Sequence, residues 1–228
     1  MARAGPPSWG DETMMSLQER IVAFLRAHRA ARLGISGLTV VLVLGAVGLL
    51  GYPFFTNVYQ SRLQARLAHQ LATDPALSQE YRTDNVPVGN SLTRLEIPAI
   101  GVDVVVVEGT SDEALKAGAG HYPSTPLPCE PGDVAIAGHR TTYGRPFADV
   151  DRLRTGDRIV FSTPVGRCVY AVAEAPFVVL PNNTAVVADT PGRYTLTLTS
   201  CTPKGSASHR IVIKATMLSG LSGARPAA

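Results

Sequence analysis

From Leu33 to Phe55 the chain carries no charged residue, and a helix over that stretch, rising about 1.5 Å per residue, reaches roughly 34 Å, enough to cross the hydrocarbon core of a bilayer. The run predicts a transmembrane helix over 33–55 and divides the chain between two compartments. Arg26, Arg29 and Arg32 crowd its N-terminal flank, whereas no basic residue follows until Arg62. The positive-inside rule therefore places residues 1–32 in the cytoplasm as a tail, and the C-terminal part outside the cytoplasmic membrane. A cleaved signal peptide is the competing reading, but the basic region is long and no small-x-small site closely follows the apolar run. The tail itself holds Pro6-Pro7, scattered charge and a weakly amphipathic stretch from Leu17 to Leu25 that predicts a short helix.

Beyond the span, Val58, Leu63, Leu67 and Leu71 fall on one helical stripe with Gln60, Gln64 and Arg66 elsewhere, which predicts an amphipathic helix. Asp74-Pro75 and the polar run to Asn90 read as a linker, so residues 56–90 form a helix-and-linker segment. From there the pattern changes to short β-rich runs separated by turn residues: Leu92–Ile97, Val102–Glu108, Asp133–Gly138, Arg158–Thr163, Arg167–Val179, Tyr194–Cys201 and His209–Thr216. This is an all-β signature for a domain over 91–218, with a C-terminal tail at 219–228. Ser111 is placed to cap a helical turn over 112–116, and Phe147–Leu153 predicts another. Pattern alone does not separate a closed barrel from a sandwich.

Charge excludes one class of partner. Before Leu33 five arginines face three acidic residues, and after Phe55 sixteen basic residues face fifteen acidic ones. A domain so close to neutral lacks the footprint of a phosphate binder, so no nucleic acid is expected.

The chemistry gathers in Thr197–Ile213. Tyr194 to Thr199 alternates polar and apolar β-formers, placing Cys201 at a strand end. Thr202-Pro203-Lys204-Gly205-Ser206 cannot extend that ladder. A second strand from His209 then returns, and in a hairpin Cys201 and Arg210 stand side by side at the base of a loop. A nearby cation favours thiolate over thiol, and a nucleophilic cysteine needs a proton partner. His139, at the end of the predicted strand before Arg140, is the best candidate.

These residues resemble a known family. TLTSC ending at Cys201 with arginine nine positions later, AGHRTTYGRPF from Ala137 to Phe147, and GHYP from Gly120 to Pro123 look like the sortases, most closely class E. The resemblance runs from about Leu92 to Thr216. One departure is Ser200, where the family usually carries threonine. The resemblance implies a closed eight-stranded β-barrel, a nucleophile at Cys201, a general acid/base at His139 and an oxyanion stabiliser at Arg210, with Tyr143, Thr199 and Ser200 contacting substrate. It implies a Gram-positive membrane enzyme needing no cofactor. Its substrates would be surface proteins bearing C-terminal Leu-Ala-x-Thr-Gly-like sorting signals, cut between Thr and Gly. The threonyl carboxyl would then be joined to a cell-wall precursor amine. A pilin-polymerising class C-type enzyme is the nearest alternative, since CTPKGSASHR resembles that group too. Asp74-Pro75-Ala76, however, lacks the aromatic of that group's inhibitory lid. A catalytically idle surface binding module is the alternative of another kind.

The remaining candidates are weaker. His121 reads as structural, and His209 faces away from Arg210 by strand alternation. His121, Cys129, His139, Cys168 and Cys201 show no metal-ligand spacing, so no metal site is expected. Cys129 and Cys168 could pair in an oxidising compartment or remain two inert thiols.

Overall fold

The computed structural model describes residues 28–222 together with Val22, Phe24 and Arg26. The expected helix at 17–25 lies outside the described residues except for the helical Val22 and Phe24, and the C-terminal tail beyond Ser222 lies outside them as well. The chain divides into two units, 1–51 and 52–228. In the first, the apolar residues of α1 (Arg29–Thr73) are exposed all round, Leu33, Val41, Leu44 and Leu49 among them. A helix apolar on every face is made for a non-aqueous surrounding, and this one is long and apolar enough to cross a membrane.

Among the described residues the second unit holds nine strands: β1 (Ser91–Ile97), β2 (Val102–Glu108), β3 (Ala119–His121), β4 (Gly132–Gly138), β5 (Arg158–Thr163), β6 (Gly166–Val172), β7 (Phe177–Val179), β8 (Tyr194–Thr202) and β9 (His209–Ser222). Hydrogen bonding runs in the order β6-β5-β1-β2-β3-β4-β8-β9, and β9 pairs back onto β6. Eight strands thus close a barrel, as the family resemblance implied. The expected single strand from Arg167 to Val179 is broken at 173–176, where Pro176 has no N–H to give a ladder. Its two pieces, β6 and β7, both lie along the same edge of β9. β9 also runs past Thr216, its Ser219 and Ser222 pairing with Val169 and Arg167. The β3 strand, only three residues long and two of them small, carries no period-2 signal.

Alternation sorts the side chains. Leu92, Ile97, Val106, Ile136, Phe161 and Leu198 fill the barrel core, while on β2 Val105 and Val107 point outward and are covered by Leu67 of α1, with Leu63 and Leu71 beside it. The valine run of β2 is therefore buried on both faces, which explains why it reads as continuous rather than alternating. The expected stripe holds for Leu63, Leu67 and Leu71, but Val58 is exposed.

Two polar side chains, Gln64 of α1 and Ser91 of β1, complete this packing. Gln64 accepts from the Val105 N–H through Oε1 at 2.7 Å and donates through Nε2 to the carbonyls of Val105 at 2.9 Å and Ala117 at 2.7 Å. It supplies the strand partner that Val105 would otherwise lack, since β3 begins pairing only at Val106. Ser91 Oγ donates to the carbonyl of Leu67 at 2.9 Å.

The stretch read as a linker contains a helix, α2 (Ala76–Arg82). Leu77 and Tyr81, one turn apart, enter the core, and the Tyr81 hydroxyl donates to the carbonyl of Pro128. Helix α3 (Asp112–Ala117) forms where expected, with Ser111 Oγ accepting from the Ala114 N–H at 3.3 Å. The turn predicted over 147–153 is a short 3-10 segment at Val150–Arg152. Cys129 and Cys168 form a disulfide, tying the loop before β4 to β6.

Candidate active site

β8 and β9 are antiparallel, and their register sets Cys201 directly opposite Arg210. Directly opposed residues share a face, with Cβ atoms about 4.5–5.5 Å apart. Leu196 and Leu198 of β8 and Ile211 and Ile213 of β9 point into the core. Alternation therefore sends Thr199, Cys201 and Arg210 to the outer surface and Ser200 inward. β4 runs parallel to β8, with Ala137 level with Thr199. His139, the first residue past β4, leaves on the outer side in step with Cys201. One cleft of about 330 Å³ is lined by His139, Cys201, Arg210, Thr199, Tyr122 and Thr110, with Ser200 and Asp112 also at its wall.

Each side chain has a distinct setting. Cys201 is half-buried and is the free cysteine of the described residues. The Arg210 guanidinium donates through Nη1 to the carbonyls of Ala207 at 3.0 Å and His209 at 3.2 Å, so the loop after Cys201 and the first residue of β9 each hold it by one bond. His139 is held below the ordinary imidazole pKa because burial penalises its charged form, while the Asp112 carboxylate acts in the opposite direction. Ser200 Oγ donates to the Gly138 carbonyl at 2.6 Å, fastening β8 to the residue before His139. Thr199 Oγ1 shares a hydrogen bond with the Tyr122 hydroxyl at 3.1 Å.

The loop leaving His139 is tightly determined. The Phe147 N–H donates to the His139 carbonyl at 3.1 Å, and Phe147 packs under Gly138 so closely that a Cβ there would come within 2.6 Å of its ring. Tyr143 and Arg145 adopt left-handed backbone with φ of 49° and 41°, a conformation that costs a non-glycine residue about 1–2 kcal/mol. The Tyr143 ring lies 5.5 Å from the His139 imidazole, tilted by 34°. Its phenol is held above the usual pKa, with Tyr52 as the leading cause.

Arg140 is the residue that sequence reasoning missed. Its buried guanidinium donates to Thr202 Oγ1 at 3.1 Å, to Asp151 Oδ1 at 2.6 Å and to the Ala148 carbonyl at 3.4 Å. It joins the exit of β4 to the residue after Cys201. Its place beside His139 and facing the opposite way was the one available signal; nothing in the spacing points to Thr202 or Asp151.

The other titratable candidates stand apart. His121 is buried, with Nδ1 2.8 Å from Glu108 Oε2 and Nε2 2.9 Å from the Pro126 carbonyl, a structural histidine as expected. His209 is exposed, near Ser208 Oγ. Among the described residues no three His, Cys, Asp or Glu side chains gather as a metal site would need.

A cysteine facing an arginine, with a histidine from the neighbouring strand end, suits acyl transfer. The family model described as Sortase domain matches residues 95–218. Sortase SrtE1 of Streptomyces coelicolor is 31% identical over 175 residues, covering 70% of this chain and 49% of the relative. The chain thus spans about half the length of that protein. Among solved structures, a Clostridium perfringens Sortase D5 transpeptidase superposes with a TM-score of 0.61 at 26% identity, over 70% of this chain and 98% of the other. Sortase E1 from Streptomyces coelicolor, solved with a tripeptide in its active site, gives 0.55 at 32% identity over 60% and 95%. With the barrel, the order of the three polar side chains along it and these matches in accord, the chain belongs to the sortase family.

Proposed function

We propose that this chain is a membrane-anchored cysteine transpeptidase of class E type. It acts on surface proteins that carry a Leu-Ala-x-Thr-Gly-like sorting signal. The observation that carries the reading is the Cys201–Arg210 pair, set face to face across the β8–β9 ladder on the wall of the cleft that also holds His139. Cys201 Sγ attacks the threonine carbonyl and its proton passes to His139. Arg210 donates to the oxygen as negative charge develops there. The Thr–Gly bond breaks, His139 returns the proton to the glycine amine, and a thioester remains. A cell-wall precursor amine then attacks the thioester while His139 takes its proton, and Cys201 leaves as the thiol.

Class E specificity centres on Tyr143. A phenol hydroxyl carries lone pairs that can accept a backbone N–H. Alanine at the second signal position offers that N–H and proline does not. A class C-type pilin polymerase is less well supported: α2 packs into the core through Leu77 and Tyr81, and no residue of 74–82 lines the cleft. Incubating the full chain in detergent with Leu-Ala-x-Thr-Gly and Leu-Pro-x-Thr-Gly peptides and candidate amines tests the proposal. Faster processing of the alanine peptide, with the ratio narrowed in Tyr143→Phe, is the expected result. A ratio unchanged by Tyr143→Phe returns Tyr143 to a packing role, and no thioester on Cys201 with any peptide refutes the transpeptidase reading.

A further inference from the structure

We infer that the stretch of α1 from Tyr52 to Gln60 is a brace of the active site, with Asn57 and Tyr52 as positioning residues for the loop that carries Tyr143 beside His139. The inference rests on the proton-transfer role proposed for His139. The loop 140–146 holds two non-glycine residues in left-handed backbone, Tyr143 and Arg145, and such conformations persist only where the surroundings over-determine them. Three contacts from α1 supply part of that determination. Asn57 Oδ1 accepts from the Gly144 N–H at 3.1 Å. Tyr52 faces the Tyr143 hydroxyl closely enough to be the leading cause of that phenol's raised pKa. Gln60, buried and donating to the Ala117 carbonyl at 3.3 Å, sits so close over Gly144 that a Cβ there would meet its Oε1 at 2.4 Å. Gly144 itself has φ of 69°, so it is glycine for two reasons at once, the backbone angle and the approach of the helix. The far side of the same loop is the Tyr143 ring at 5.5 Å from His139. A helix that begins as the membrane-crossing candidate thus reaches the imidazole through one intervening side chain. Its packing on β2 depends on other residues, Gln64 and Leu67, so the brace can be released without undocking the helix.

The experiment uses the full chain in detergent micelles and compares wild type, Asn57→Ala with Tyr52→Phe, and Asn57→Asp, which keeps the accepting oxygen. Losing the Asn57 bond together with the Tyr52 contact should lower kcat/KM for the peptide about five- to tenfold, while alkylation of Cys201 by iodoacetamide stays within about twofold and the melting temperature holds. Amide hydrogen exchange across 140–146 should quicken by a similar factor in the double variant and not in Asn57→Asp. Unchanged exchange in the loop overturns the brace whatever the activity does. A double variant that melts earlier in proportion to its lost activity also overturns it, by showing a merely structural contact. If wild type forms no thioester but the loop still loosens in the double variant, the brace stands and the catalytic assignment fails.

Discussion

Cys201 stands half-buried against Arg210, a place alanine can fill, so Cys201→Ala should keep the melting temperature and abolish thioester formation in intact-mass spectra. Arg210→Ala should slow the acylation step about a hundred- to a thousandfold, the usual loss for a fixed oxyanion donor; an unchanged rate removes it from the site. His139 gives the pH dependence. Burial favours its neutral form, so its activity as a base is lost only as pH falls through a value below that of an exposed imidazole. Asp112 opposes this shift; Asp112→Asn should therefore move the acid limb of the transfer rate to still lower pH. A pH–rate profile paired with NMR titration of the His139 ring checks it, and a limb that moves upward contradicts the assignment. Cys201 and Arg210 were legible in the sequence because one hairpin holds both and a turn fixes its register. His139 was named from its strand-end place and from the family resemblance, but its nearness to Cys201 was not legible, because a parallel pairing of β4 with β8 leaves no local mark. Arg140 was illegible for the same reason: its partners Thr202 and Asp151 belong to other segments.

At the scale of elements, the strands were read as β-rich runs between turn residues, β2 by its unbroken β-branched run and β4 although it is buried on both faces. The failures have physical causes. In α2 only Leu77 and Tyr81 are buried, too few to stand out from a polar stretch with Pro75 at its start. Gln64 looks like any solvent-facing glutamine on a helix, yet it closes the backbone of Val105 as a strand would. That arrangement makes a sharp prediction. Gln64→Leu would leave the Val105 N–H and the Val105 and Ala117 carbonyls without this partner beneath α1, at a cost of about 1–3 kcal/mol or more for unsatisfied groups. Thermal unfolding should show a clear fall in melting temperature, larger than for Ser61→Ala on the exposed side of the same helix. Equal melting temperatures would mean that water replaces Gln64 freely and that α1 is held by Leu67 and its neighbours alone.

For the whole molecule the question is which compartment the barrel occupies, and the proposed exterior placement rests on two features, with which the proposed substrates are consistent. Arg26, Arg29 and Arg32 stand before the apolar run and nothing basic follows it until Arg62, the asymmetry that keeps an N-terminal tail on the cytoplasmic side. The Cys129–Cys168 disulfide belongs to an oxidising exterior rather than to a reducing cytoplasm, while Cys201, a thiol in its own cleft, has no cysteine partner among the described residues. The substrates of the proposed reaction, sorting signals and a cell-wall amine, are met outside. Protease added to intact cells should therefore digest the barrel and spare an epitope tag placed at Met1, and a membrane-impermeant thiol reagent should label Cys201 without prior lysis. Cys201→Ala supplies the control for that labelling, because Cys129 and Cys168 are oxidised and do not alkylate. A barrel that survives the protease while the tag is lost would reverse the orientation, and Cys201 would then lie in a compartment holding neither the signal nor the amine.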